Sequence, residues 1–257
     1  MAPRFPLDLS DRVALVTGAS SGLGRRAALT LAAAGARVVA VARRAEALVA
    51  LAEEAGAQEA GGRVAPLPAD LADRGALAGC AEAAAEPFGA PDIVVHAAGI
   101  NTREAADEVT AEGWDVTLDL NLRTPFVLSQ HLVPAMKAKG WGRIVTFASL
   151  QSYRAFPGGL SYGASKGGVA QLTRAMAEAW SRHGILANAI GPGFFRTELT
   201  EAVFADPDRA ARNAAQTCIG RNGAPEDLDG PLLFLCSEMS AYVTGQVLMV
   251  DGGFTAK

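Results

Sequence analysis

Val13-Ala14-Leu15-Val16-Thr17-Gly18-Ala19-Ser20-Ser21-Gly22-Leu23-Gly24 passes from an apolar run through a glycine-spaced turn into an alanine-rich stretch. The apolar run suits a strand covered on both faces, the condition of a parallel sheet. Glycines at 18, 22 and 24 allow a tight turn, close backbone approach to phosphate, and close packing of helix on strand. The first amides of the helix then face an anion. A dinucleotide site is therefore expected at Gly18, Ser20, Ser21, Gly22, Leu23 and Gly24.

Outward from this turn the same alternation repeats. Strands are expected at Val13–Thr17, Arg37–Val41, Arg63–Leu67, Asp92–His96, Arg143–Ala148, Ile185–Ile190 and Gln246–Val250. Helices are expected at Leu23–Ala34, Ala45–Ala55, Arg74–Glu86, Glu112–Lys139, Tyr162–His183 and Pro225–Ser237, the fourth bent at Pro125 or Pro134. This order predicts an α/β fold, a Rossmann-like, doubly wound parallel sheet of about seven strands with helices on both faces. No linker or repeat divides residues 1–257, so one domain is expected, with a flexible substrate flap near 194–222. Ligands then lie beyond the carboxyl ends of the strands.

Composition narrows the function. The chain has 257 residues, a formal charge of -4 and 50% hydrophobic residues. A mildly acidic balance argues against a nucleic-acid partner, which calls for a basic surface. No stretch free of Asp, Glu, Lys and Arg exceeds 13 residues, the length of Thr124–Met136, whereas a membrane span needs about 20. Cys80, Cys218 and Cys236 form neither a metal knuckle nor a redox pair, which fits a reducing, cytoplasmic setting without a resident metal. Met1–Pro6 lacks the apolar core of a signal peptide.

Residues after the other strands carry the chemistry. At the end of the second strand, Arg43 and Arg44 stand where an acid would hold the 2′-hydroxyl of NAD. Guanidinium groups there suit a 2′-phosphate, so NADP(H) is expected over NAD(H). Asp70 and Leu71 follow the third strand, where adenine would lie; Asp70 equally suits a helix cap. Among three tyrosines only Tyr162 has a lysine four residues later, Lys166, on the same helical face. A cation about 4 Å away would lower the phenol's pKa by up to roughly 3 units before burial opposes it. Ser149, at the sheet's ligand edge, suits a carbonyl oxygen gaining charge. Asn121 is a poor helix former for which a buried hydrogen bond is the ordinary explanation.

Together, Thr17-Gly18-xxx-Gly22-x-Gly24, Asp70-Leu71, Asn121, Ser149, Tyr162-xxx-Lys166 and Pro192-Gly193-xxx-Thr197 resemble the short-chain dehydrogenase/reductase family over essentially the whole chain. The resemblance implies that Tyr162 exchanges a proton with the substrate oxygen. It further implies that Lys166 lowers the tyrosine pKa and holds the nicotinamide ribose, that Ser149 stabilises the reacting oxygen, and that Asn121 supports a water relay. Pro192, Gly193 and Thr197 would position the nicotinamide amide, and Ala98 and Gly99 would pack against the adenosine half. A homotetramer acting on a small alcohol or ketone is implied. One departure is His96-Ala97-Ala98-Gly99, where the family often has Asn-Asn-Ala-Gly; the asparagine bonds bracing the central strand must be replaced or absent.

Substrate recognition is expected after Ser149, around Gly99 and in the flap, from Asn101, Arg103, Gln151, Arg154, Phe156, Phe194, Phe195 and Arg196. The run Ala98–Arg103, with Trp114, resembles the family's polyol, sugar and sugar-acid dehydrogenases, including gluconate dehydrogenases. The alternative is a 3-oxoacyl-[acyl-carrier-protein] reductase, in which arginines near the mouth dock the carrier; the corresponding places hold Gly140 and His183, beside Lys139 and Arg182. A non-catalytic NADP sensor or scaffold is the third reading. Such proteins typically lose the Tyr or the Lys that this chain keeps.

Overall fold

The computed structural model describes residues 7–57 and 62–257. In chain order the elements are β1 (Val13–Thr17), α1 (Gly22–Ala33), β2 (Arg37–Ala42), α2 (Ala45–Ala57), β3 (Arg63–Pro68), α3 (Ala76–Ala83), β4 (Ile93–His96), α4 (Ala111–Leu118), α5 (Thr124–Lys139), β5 (Gly142–Phe147), α6 (Leu160–Trp180), β6 (Ile185–Pro192), α7 (Glu201–Phe204), α8 (Pro207–Gln216), α9 (Asp229–Cys236) and β7 (Val247–Val250). All seven strands run parallel in the order β3-β2-β1-β4-β5-β6-β7. The expected Rossmann-like sheet is present.

Alternation along the strands fills both layers. Ala14 and Val16 join a cluster with Leu31, Leu232 and Leu235, while Leu15 between them joins Leu128, Met136 and Met176 on the opposite face. The chain's direction of travel across the sheet reverses between β1 and β4, whose ends are level, Thr17 opposite His96. That reversal opens a crevice at the carboxyl ends.

Two expectations change. The bend between Glu112 and Lys139 lies at neither proline: α4 and α5 are joined by a wide π turn, Asp119–Arg123, while Pro125 starts α5 and Pro134 sits inside it. The flap at 194–222, for which no helix was expected, carries α7 and α8, and a parallel bridge between Phe195 and Gly223 closes its base. Among the described residues no helix is long and apolar enough to cross a membrane.

Candidate active site

The carboxyl ends of β1, β2, β4, β5 and β6 border one cleft of about 620 Å³, within the range of small-molecule sites. Every glycine-turn residue named from the sequence lines it, as do Arg43, Arg44, Asp70, Leu71, Ala98, Gly99, Pro192, Gly193 and Thr197. The turn tolerates no side chain at Gly18: its φ is +67°, and a Cβ there would meet Ala98 N at 2.7 Å. Ser21, the N-cap of α1, makes no cap bond to the helix, and the first turn carries no acid, so the α1 amides remain available to an anion. With guanidinium groups and no carboxylate at the end of β2, the residues present fit a phosphorylated dinucleotide such as NADP(H).

Thr17 holds the His96-Ala97-Ala98-Gly99 segment after β4. Its Oγ1 accepts from Ala97 N and Ala98 N at 3.2 and 3.1 Å, pinning the end of β4 to β1. His96 points away from the cleft and pairs with Ser129 Oγ at 2.8 Å. Burial drives its imidazole pKa down to about 3. The ring is a neutral core group.

Ser149, Tyr162 and Lys166 share the cleft wall. Ser149 caps a 3-10 turn, accepting from Gln151 N at 3.1 Å, while Ser152 of that turn donates to the Lys166 carbonyl at 2.7 Å. The serine turn and α6 are thus one unit, which sets Ser149 and Tyr162 together on the cleft wall. The lysine behaves differently from expectation. Its Nζ lies 5.5 Å from the Tyr162 ring centroid and donates to Phe147 O at 2.7 Å. Burial pushes the phenol's pKa up, with the Ser149 hydroxyl and the Arg103 charge pulling against it, and brings the Lys166 ammonium down to about 8. Desolvation outweighs the expected depression of the phenol.

Asn121 sits behind Gly99 rather than on the wall, 1% exposed. Its Oδ1 accepts from Ile100 N at 2.9 Å, and its Nδ2 donates to Ile100 O at 2.9 Å and Ser165 Oγ at 3.0 Å. The π turn brings this amide to the β4 loop and α6 together.

The substrate candidates divide. Gln151, Phe156 and Phe194 line the cleft, with Asn101, Arg103 and Phe195. Phe156 and Phe194 form an aromatic group with Phe254, ring centroids 5.6 to 6.2 Å apart. Arg154 and Arg196 do not reach the cleft wall. Arg154 is drawn to the Phe254 carbonyl at 3.3 Å and lies over its ring, and Arg196 lies over Phe204. Sequence reading missed Val116, Leu199, Val203, Arg209 and Asn213, which also line the cleft. Arg209 and Asn213 are four apart on α8, a spacing that puts them on one helical face. The Asn213 amide nitrogen and the Gln151 amide oxygen are buried without partners among the described residues.

A family model described as enoyl-(acyl carrier protein) reductase matches residues 18–255. Gluconate 5-dehydrogenase of Gluconobacter oxydans (strain 621H) is 39% identical over 247 residues, 96% of each chain. The 3-oxoacyl-[acyl-carrier-protein] reductase of Thermotoga maritima is 35% identical, covering 95% of this chain and 98% of its own. The crystal structure of a gluconate 5-dehydrogenase from Burkholderia cenocepacia J2315 in complex with NADP and tartrate superposes with a TM-score of 0.92 at 35% identity, covering 98% of each chain. Likeness of this extent, on a sheet and a Ser–Tyr–Lys wall of this kind, settles the kinship: the chain belongs to the short-chain dehydrogenase/reductase family.

Proposed function

We propose that the protein is an NADP(H)-dependent oxidoreductase interconverting a secondary alcohol and a ketone on a sugar acid of the gluconate type. The observation that carries this reading is that the Arg103 guanidinium lines the same cleft as Ser149, Tyr162 and Lys166, which gives a carboxylate a receptor in the cleft where the proton is transferred. Arg209 and the unpartnered amides of Asn213 and Gln151 add donors and an acceptor suited to a polyhydroxy chain. NADP(H), held by the glycine turn, Arg43 and Arg44, would supply or accept the hydride. Tyr162 passes a proton to or from the substrate oxygen, and Ser149 hydrogen-bonds that oxygen as its charge changes. Lys166 supplies the cation beside the phenol and would hold the nicotinamide ribose. Asn121, its amide committed to Ile100 and Ser165, is a positioning residue for the Gly99 loop and α6.

The carrier-protein alternative is less well supported. Gly140 and His183 precede β5 and β6, at the opposite end of the strands from the cleft, and the Lys139 ammonium is engaged by Asp92 at 2.7 Å and the Ala90 carbonyl at 2.9 Å. The unit is read as one domain, working as a homotetramer in a reducing cytoplasm. The three free cysteines, and the exposed Val116, Phe126 and Leu160 on α4 to α6, fit that reading.

The decisive assay compares kcat/KM for gluconate and keto-gluconates with that for an acetoacetyl thioester, using NADP(H). Sugar acids should be preferred, and Tyr162→Phe should lower kcat by at least about a hundredfold while cofactor affinity holds. A thioester preference that Arg182→Ala abolishes would overturn the substrate class.

A further inference from the structure

Arg44 spends its guanidinium inside the molecule. Nη1 and Nη2 donate to the two carboxylate oxygens of Glu198 at 3.1 and 3.0 Å, and Nη2 and Nε also meet Ser20 Oγ at 3.0 and 3.3 Å. Glu198 stands on a firm mount: Thr200 Oγ1 donates to the carbonyls of Phe195 and Thr197 and accepts from Thr197 N. The next residue, Leu199, gives its carbonyl to Arg103 at 2.7 Å. The root of the 194–222 segment is thereby stitched to both sides of the cleft, at the glycine turn and at the β4 loop.

A guanidinium offers a planar fork of donors, and a bidentate carboxylate uses the same edge that a phosphate would. Arg44 and Glu198 are 51% and 61% exposed, so their pair is weak enough for a phosphate dianion to displace. We propose that Glu198 competes from within for the cofactor's 2′-phosphate, latching the helical flap to Arg44 until that phosphate takes the guanidinium. The inference rests on the NADP(H) reading. It makes the flap respond to one dinucleotide and not the other: a 2′-hydroxyl leaves the latch shut, and a 2′-phosphate opens it. Glu198 then lowers affinity for NADP(H) in exchange for coupling its arrival to movement of α7 and α8.

Calorimetric titration with adenosine 2′,5′-bisphosphate and with 5′-AMP tests this on the natural protein, Glu198→Gln and Glu201→Gln. Glu198→Gln should tighten the bisphosphate about two- to fivefold, the span of an exposed ion pair, and leave 5′-AMP unchanged. Glu201→Gln, which removes a flap carboxylate without touching Arg44, should change neither. Trypsin cleavage after Arg196, Arg209, Arg212 and Arg221, followed by mass spectrometry, should accelerate in the natural protein with the bisphosphate but not with 5′-AMP. In Glu198→Gln it should be fast without ligand. Equal or weaker bisphosphate binding by Glu198→Gln, or equal tightening by Glu201→Gln, overturns the latch. If the natural protein binds the bisphosphate no tighter than 5′-AMP, the NADP(H) reading itself fails and the latch falls with it.

Discussion

Lys166 is one of only four lysines in a chain with 23 basic residues, and its setting is costly. It is 4% exposed, and burial holds its ammonium near pKa 8 against an ordinary value of 10.5. Between those values the unfolded chain binds more protons than the folded one, so the burial penalty is full below pH 8 and vanishes as pH rises toward 10.5. Lys166→Met should therefore be more stable than the natural protein at pH 7, by up to about 3 kcal/mol less the lost hydrogen bond to Phe147. That gap should close between pH 8 and 10.5, as read by denaturant unfolding at each pH. An equal gap at pH 7 and 10.5 would show that burial does not tune this lysine. The pairing of Tyr162 with Lys166, and the place of Ser149, were legible from spacing alone. Their electrostatics were not, because the direction of each pKa depends on how deeply neighbouring elements bury the helix.

At the scale of elements, α8 escaped sequence reading for a physical reason. Its one apolar face is built of small alanines, Ala210, Ala211, Ala214 and Ala215, and none of its residues is buried, so the helix shows no large core side chains among its charged and amide residues. The bend before α5 was anticipated but assigned to proline, whereas Asn121 marks it by bonding across to Ile100 and Ser165. Asn121→Ala would leave the amide and carbonyl of Ile100 without those partners. We expect a loss of about 1–3 kcal/mol in urea unfolding, with KM for the dinucleotide rising more than kcat falls. A variant of unchanged stability would exclude the bracing role. The strand, turn and helix around Gly18–Gly24 were legible because they constrain one another over only a dozen residues.

For the molecule as a whole, His96 sets a limit on acid tolerance. Its folded pKa near 3 lies below the ordinary value of 6.5, so the unfolded state takes up protons first as pH falls and stability drops with it. Between pH 7 and pH 5 this one ring should cost about 2 kcal/mol, and His96→Asn should show a correspondingly smaller loss over the same interval. Identical pH dependence in the two proteins would remove His96 as the cause. The cleft has a consequence for how the molecule is made. Its facing walls include Ser20 and Glu198, hydrogen-bonded to one arginine yet separated by most of the chain. Contacts of such sequence separation close late in folding. No half-made chain can therefore offer the pocket, and a ligand that fits it recognises completion. Its binding free energy should then oppose global unfolding in full, adding about 2.7 kcal/mol at a hundred times Kd. A metabolite would act on this protein as a selective preservative, sparing finished copies from proteolysis and leaving unfinished ones exposed.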